Sequence, residues 1–228
     1  MVDIYSIQIN SNLDNDIMDS LKQLVSEERR EKVERFKFQQ DSLRSLLGDL
    51  LSRYAICTRT RYKNCQLKFA LNAYNKPVLA EIKNLHFNVS HSGNWVVCAI
   101  ADEVVGIDVE EIKPIDYGIA KSFFTEEEYC NLISHDEENR LKYFYSIWTL
   151  KESYLKADGR GLSLPLNSFS IDIKHDKISV VTSNELSNCY FKKYDIDNLH
   201  ISSVCSLDKN FRDTIKELTV DSLIQTLE

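Results

Sequence analysis

The chain has 228 residues, 43% of them hydrophobic, with only three Pro and six Gly; this is enough for one large domain or two small ones with a packed core, and it leaves no flexible linker or low-complexity tract. The formal net charge of −7 argues against a nucleic-acid binder. No apolar run is long enough to span a membrane, the start lacks the basic region and apolar core of a signal peptide, and the six Cys form no C-x-x-C pair, several of them standing in apolar settings where a reduced, buried thiol is the plain reading, so a cytoplasmic protein is expected.

In chain order, MVDIYSIQIN (1–10) alternates like a strand. A short helix is predicted near SEERREKVERF (26–36) and a long one near DSLRSLLGDLLSRYAI (41–56), followed by a turn at AYNKPV (73–78) and strands at 85–92, 95–101 and 104–110. A second round follows. Thr125-x-x-Glu128 is a capping-box pattern opening a helix over 125–134. A long helix near 139–157 is stopped by Gly159, and alternating strands occupy 169–173, 178–182, 189–196 and 200–206. The order of short helix, long helix and strands thus occurs twice. The expected fold class is α+β, with two similar α/β halves related by pseudo-twofold symmetry. They divide into 1–103 and 104–228, the C-terminal tail packing back on the first half and a ligand cleft lying between them. The first half is close to neutral and the second holds nearly all the excess acid, which allows an anion site in the first and a cation site in the second.

Several stretches could carry chemistry. On a strand over GIDVE (106–110), Ile107 and Val109 point one way, and Asp108 and Glu110 together point the other. Two carboxylates so close repel unless a cation, a proton or solvent intervenes; an ordinary strand with a polar face is the competing reading. In WTLKESYLKADG (148–159), Glu152 and Lys156 share one helical stripe, and Lys151 projects into the apolar arc. A third carboxylate from Glu152 would complete an all-oxygen site suited to Mg²⁺ and substrate phosphates; an i,i+4 ion pair and a snorkelling lysine are the alternatives. Ser90 and His91 in FNVSHSGNW (87–95) are anion-binding candidates or part of a surface turn. The basic residues Arg29, Arg30, Lys32, Arg35, Lys37 and Arg44 alternate with acids on what can equally be a solvated helix.

Together these stretches resemble one family. GIDVE and WTLKESYLK match the paired signature G-[IV]-D-x-E and [FW]-[STC]-x-K-E-[SA]-x-x-K of 4'-phosphopantetheinyl transferases. RREKVERF (29–36), RSLLGDLL (44–51), HFNVSHSG (86–93), FYSIWTLKES (144–153) and GRGLSLPLNSFS (159–170) resemble its long, pseudo-dimeric Sfp type, which acts on carrier domains of peptide synthetases. The resemblance implies coenzyme A in the cleft and Mg²⁺, with Mn²⁺ as an alternative, on Asp108, Glu110 and Glu152. It implies phosphate contacts from Lys151 and Lys156, 3'-phosphate and ribose contacts from Arg29, Lys32, Arg44, Ser90 and His91, and an adenine-side turn of Tyr74, Lys76 and Pro77. Asn75 stands where the family commonly has Gly, Arg29 where a Lys is common and Ser45 where a Thr is common; Arg for Lys keeps the charge and changes the geometry.

The implied reaction moves the 4'-phosphopantetheinyl group of coenzyme A onto a serine hydroxyl of an apo-carrier domain and releases 3',5'-ADP, in the service of nonribosomal peptide or antibiotic synthesis. Glu152, directly or through a water, takes the serine proton, and Lys156 stabilises the leaving group. The enzyme is expected to be a monomer, docking its acidic carrier through apolar contacts in KPIDYGIAKSFF (113–124) and the segment after Gly159. Two rivals stand beside this reading: another Mg²⁺-dependent pyrophosphate or nucleotide enzyme, although no G-x-x-x-x-G-K-[ST] loop is present, and a non-catalytic module that binds coenzyme A or a carrier.

Overall fold

A computed structural model describes residues 1–9, 13–174 and 177–228; Asn10, the end of the first predicted strand, lies outside them. The first half opens with β1 (Asp3–Gln8), α1 (Asn15–Gln23), α2 (Glu27–Glu34) and the long α3 (Gln39–Arg59). The hairpin strands β2 (Phe69–Leu71) and β3 (Pro77–Leu79) follow, then β4 (His86–Ser92), β5 (Trp95–Ala101) and β6 (Val105–Glu111). Next come α4 (Gly118–Phe123), α5 (Glu126–Ser134) and α6 (Glu137–Asp158). The chain ends with β7 (Ser170–Lys174), β8 (Lys177–Val181), β9 (Tyr190–Asp197), β10 (His200–Ser206), β11 (Lys216–Leu218) and α7 (Val220–Leu227).

Two sheets form the body, one in the order β11-β1-β5-β4 and the other β6-β10-β9. The helix α3 covers the first through Leu43, Leu46, Leu47, Leu50 and Leu51, and α6 covers the second through Phe144, Ile147, Leu150 and Tyr154. The bare faces of the two sheets meet in a third core built from Val2, Ile4, Val97, Ala99, Val105, Ile107 and Val109. That packing explains why WVVCAIA is apolar without alternation: Val96, Cys98 and Ile100 face the α3 side, Val97 and Ala99 face the second sheet, and every residue of β5 is buried. The expected α+β architecture of two helix-covered halves is therefore observed. The strands β7 and β8 pair only with each other among the described residues.

The tail crosses back to the first half. The strand β11 pairs in parallel with β1, Tyr5 facing Lys216, and Leu223 and Leu227 of α7 enter the core under α3. Capping follows the sequence closely. Thr125 and Glu128 make the reciprocal capping box, Asp136 caps α6 by accepting from the Asn139 amide, and Gly159 ends that helix with φ 83°. The missing side chain of Gly106 has a different use: an added Cβ would overlap the Ser153 carbonyl oxygen and the Ala157 amide, so this glycine lets α6 lie directly on β6.

Candidate active site

The close approach at Gly106 brings Glu152 and Lys156 of α6 over the polar face of β6. On that strand Ile107 and Val109 enter the core between the sheets, leaving Asp108 and Glu110 together on the other face, as the strand period requires. Lys156 pairs with Asp108 rather than with its i−4 neighbour: its Nζ donates to Asp108 Oδ1 at 2.7 Å and to Ser90 Oγ at 2.8 Å. Asp108 is 3% exposed, and its second oxygen is buried without a hydrogen-bond partner.

The facing strand β4 lies alongside β6 and is joined to it by side chains. Asn88 accepts from the Ile107 amide at 2.9 Å, Ser90 Oγ donates to Asp108 Oδ1 at 2.9 Å, and Ser92 Oγ donates to Glu110 Oε2 at 2.8 Å while accepting from the Glu111 amide at 3.0 Å. Three alternate residues of the first half thus meet Ile107, Asp108 and the Glu110–Glu111 pair of the second. Beyond them Gly93, with φ 53°, turns against Glu111 and His200, where a Cβ would lie 2.5 and 2.6 Å from their polar atoms. Trp95 Nε1 donates to Asp197 at 2.8 Å, and the buried His200 is held by the same carboxylate through Nδ1 at 2.9 Å.

Burial and the charge of Asp108 raise the pKa of both Glu110 and Glu152, with Lys156 opposing in each case and the Ser92 hydroxyl also lowering that of Glu110. The donor set suits a hard divalent cation: Asp108 opposes the ionisation of Glu110, Asp108 and Glu110 oppose that of Glu152, and Asp108 has an orphaned buried oxygen. Among the described residues no three such groups stand at closed ligating distance, and the Lys156 ammonium supplies the positive charge against Asp108.

From Glu152 and Lys156 a cleft of about 300 Å³ runs to Tyr74, Asn75, Lys76 and Pro77, also lined by Asn88, Leu155, Gly159 and Gly161. Asn75 takes the left-handed backbone, φ 64°, that its place in the turn calls for. Asn72 organises this turn. Its Oδ1 accepts from the Tyr74 and Lys76 amides at 2.8 and 2.9 Å, and its Nδ2 donates to the Gly159 carbonyl at 3.1 Å. Lys76 Nζ donates to the Lys156 carbonyl at the end of α6. Burial pushes its pKa down to about 8, against the opposing charge of Asp158.

The basic candidates are only partly gathered. Arg44 donates to the Gly93 carbonyl at 2.9 Å and pairs with Asp41, next to the exposed His91. Arg29 donates to both the carbonyl and the hydroxyl of Ser45 and faces Asp49 at 3.6 Å. Lys32 is exposed on α2.

Two expectations need correction. Lys151 is no phosphate ligand. It is 1% exposed, its Nζ donates to both Glu128 oxygens at 2.8 and 2.7 Å and to the Phe169 carbonyl at 2.6 Å, and it lies over the Phe169 ring. All three ammonium protons are committed inside the core. In the segment after Gly159, Leu164, Leu166 and Phe169 are likewise buried, which removes these three as contacts for a carrier. Of the adjacent phenylalanines, Phe124 is core and Phe123 is 42% exposed, edge-on to Trp148. Sequence reasoning missed Ser92, Asn88 and Asn72. The alternation Asn88, Ser90, Ser92 opposite Asp108 and Glu110 was the available signal.

Two sheet-and-helix halves joined along a polar seam, with Glu152 and Lys156 at one end of a cleft and Asp108 bonded to that lysine, suit an enzyme that handles a polyanionic substrate. The chain belongs to the 4'-phosphopantetheinyl transferase superfamily: the profile of that superfamily matches residues 104–205, and that of the 4'-phosphopantetheinyl transferase N-terminal region matches 14–103. It is 37% identical over 222 residues to the 4'-phosphopantetheinyl transferase Sfp of Bacillus subtilis strain 168, covering 97% of this chain and 99% of that one. It is 35% identical over 207 residues to the 4'-phosphopantetheinyl transferase gsp of Aneurinibacillus migulanus, covering 91% and 86%.

Proposed function

We propose that this protein transfers the 4'-phosphopantetheinyl group of coenzyme A to a serine hydroxyl of apo-carrier domains of peptide synthetases, in the cytoplasm and as a monomer. The observation that carries the reading is a cleft lined at one end by Glu152 and Lys156 and at the other by the Tyr74–Pro77 turn, with Lys156 bonded to Asp108 beside it. That span fits a molecule with a pyrophosphate in the middle and a nucleotide at one side. Six free cysteines and the absence, among the described residues, of a helix long and apolar enough to cross a membrane agree with the compartment. A cleft completed by two halves of one chain agrees with the monomer.

Asp108, Glu110 and Glu152 would hold Mg²⁺, or Mn²⁺ with the same oxygen preference, and the ion would withdraw charge from the pyrophosphate. The chain's own residues do the rest. The turn of Tyr74, Lys76 and Pro77 takes the adenine side. Arg44, Ser90 and His91, with Arg29 and Lys32 further out, meet the 3'-phosphate and ribose. Glu152, directly or through a water, accepts the proton as the serine oxygen bonds to the phosphorus bearing the pantetheine arm. The bond from that phosphorus to the 3',5'-ADP oxygen breaks, and Lys156 moves from Asp108 toward the charge that develops there. Ile119 and Phe123 of α4, both 42% exposed, are the apolar contacts for the carrier.

Intact-mass spectrometry of an apo peptidyl carrier with coenzyme A and Mg²⁺ tests the reading. A gain of one phosphopantetheinyl group is expected, abolished by EDTA, by a Ser→Ala carrier and by Glu152→Gln in a folded enzyme. No gain on peptidyl, acyl or aryl carriers would refute it, and phosphate release from ATP without carrier would favour a nucleotide hydrolase.

A further inference from the structure

The seam between β4 and β6 holds a hydroxyl that the mechanism above does not use. Ser92 lies two residues beyond Ser90 on the same face of β4, and Glu110 lies two beyond Asp108 on β6, so the two pairs meet at the same strand period. The direction of the Ser92 hydrogen bond is settled by its partners. The Glu111 amide donates into the oxygen at 3.0 Å, which leaves the hydroxyl proton for Glu110 Oε2 at 2.8 Å. Ser90 is arranged differently, because it takes a proton from Lys156 while giving its own to Asp108. Among the described residues Ser92 has no cationic partner, and the bond its hydroxyl donates is to the carboxylate. Fixing one oxygen of Glu110 fixes the plane of the group and therefore where the other oxygen points.

We propose that Ser92 is a positioning residue for the metal, a hydroxyl from the first half that holds the Glu110 carboxylate of the second in its ligating orientation. The inference rests on the reading of Asp108, Glu110 and Glu152 as the cation site. It extends that site across the seam: the carboxylates belong to β6 and α6, but the two on β6 accept hydroxyl protons from Ser90 and Ser92 of β4.

The test measures metal binding by the whole protein without coenzyme A or carrier, following free Mn²⁺ by electron paramagnetic resonance. Ser92→Thr and Ser92→Val have nearly the same shape and differ by the hydroxyl. The valine variant should bind Mn²⁺ about tenfold more weakly than wild type, and the threonine variant within about twofold of it, at similar Tm, as for partners that orient metal ligands. Trp95→Phe is the control for contact between the halves, since it removes the bond to Asp197 and touches none of the three candidate metal ligands; it should lower Tm without weakening Mn²⁺ binding as the valine does. Equal Mn²⁺ affinity in the threonine and valine variants, with wild type binding normally, would overturn the role of Ser92 alone. Wild-type protein that binds no Mn²⁺ would overturn the metal reading and this inference with it.

Discussion

Replacing Lys151 by Met separates two roles that one lysine in the WTLKESYLK stretch could have. Lys151 and Glu128 form an ion pair with side chains 1% and 3% exposed. Burial lowers the lysine's pKa and Glu128 opposes that shift, so the pair is held together by geometry in a medium that favours neither charge alone. Glu128 also accepts from the Thr125 and Ile171 amides, at 2.8 and 2.7 Å, which ties α5, α6 and β7 at one point. Removing the lysine leaves a buried carboxylate and the Phe169 carbonyl without their donor. Breaking a buried pair in this way costs about 3–5 kcal/mol, a fall in Tm of about 10 °C for a chain of this size. Replacing both partners, Glu128→Leu with Lys151→Met, removes the stranded charge and should recover part of the loss, although the two amides remain unpaired. The assay is urea denaturation of the two variants and wild type beside steady-state transfer at a temperature where all are folded. The expected result is a large loss of stability with the KM for coenzyme A within about threefold of wild type, since no phosphate contact is removed. A variant of normal stability whose KM for coenzyme A rises tenfold or more would refute the reasoning and return Lys151 to the phosphates.

Gly106→Ala should destabilise the protein by several kcal/mol and abolish transfer together, because its Cβ overlaps the backbone of α6 at Ser153 and Ala157; chemical denaturation and an activity assay on residual folded protein check both. Lys76, held at about 8 against an ordinary 10.5, is deprotonated in the folded chain over a range where the unfolded chain keeps the proton. Its cost to stability is therefore full below about pH 8 and fades as pH approaches 10.5. The unfolding free energy of wild type relative to Lys76→Met should rise by up to about 3 kcal/mol across that window, and a difference flat in pH would contradict the buried position. Ile119→Ala and Phe123→Ala should raise the KM for carrier severalfold with little effect on the KM for coenzyme A, since both side chains are exposed on α4; the opposite split would remove α4 from the docking surface.

Much of this site was legible because its elements have clean periods. A two-residue period places Asp108 with Glu110, a four-residue spacing places Glu152 with Lys156, and the capping pair Thr125 and Glu128 marks a helix start. What stayed hidden was partnership between distant segments. Nothing local distinguishes a lysine that reaches a phosphate from one that reaches Glu128, 23 residues earlier in the chain. The three-residue strands β2 and β3 are too short to show alternation, and β11 acquires its strand character from β1 at the other end of the chain. Ser92 reads only as the end of a strand until β6 lies beside it.

The return of β11 to β1 also bears on how the chain is made. A ribosome delivers these elements in order, so β1, β5 and α3 are out long before residues 216–227. Until then β1 is an open sheet edge, and the places that Leu223 and Leu227 fill beneath α3 are exposed to water. The first half, although translated first, completes its packing last. A nascent chain stalled near β10 would carry an assembled seam and a sticky, unpaired strand, the state in which a chaperone that recognises exposed edges would hold it.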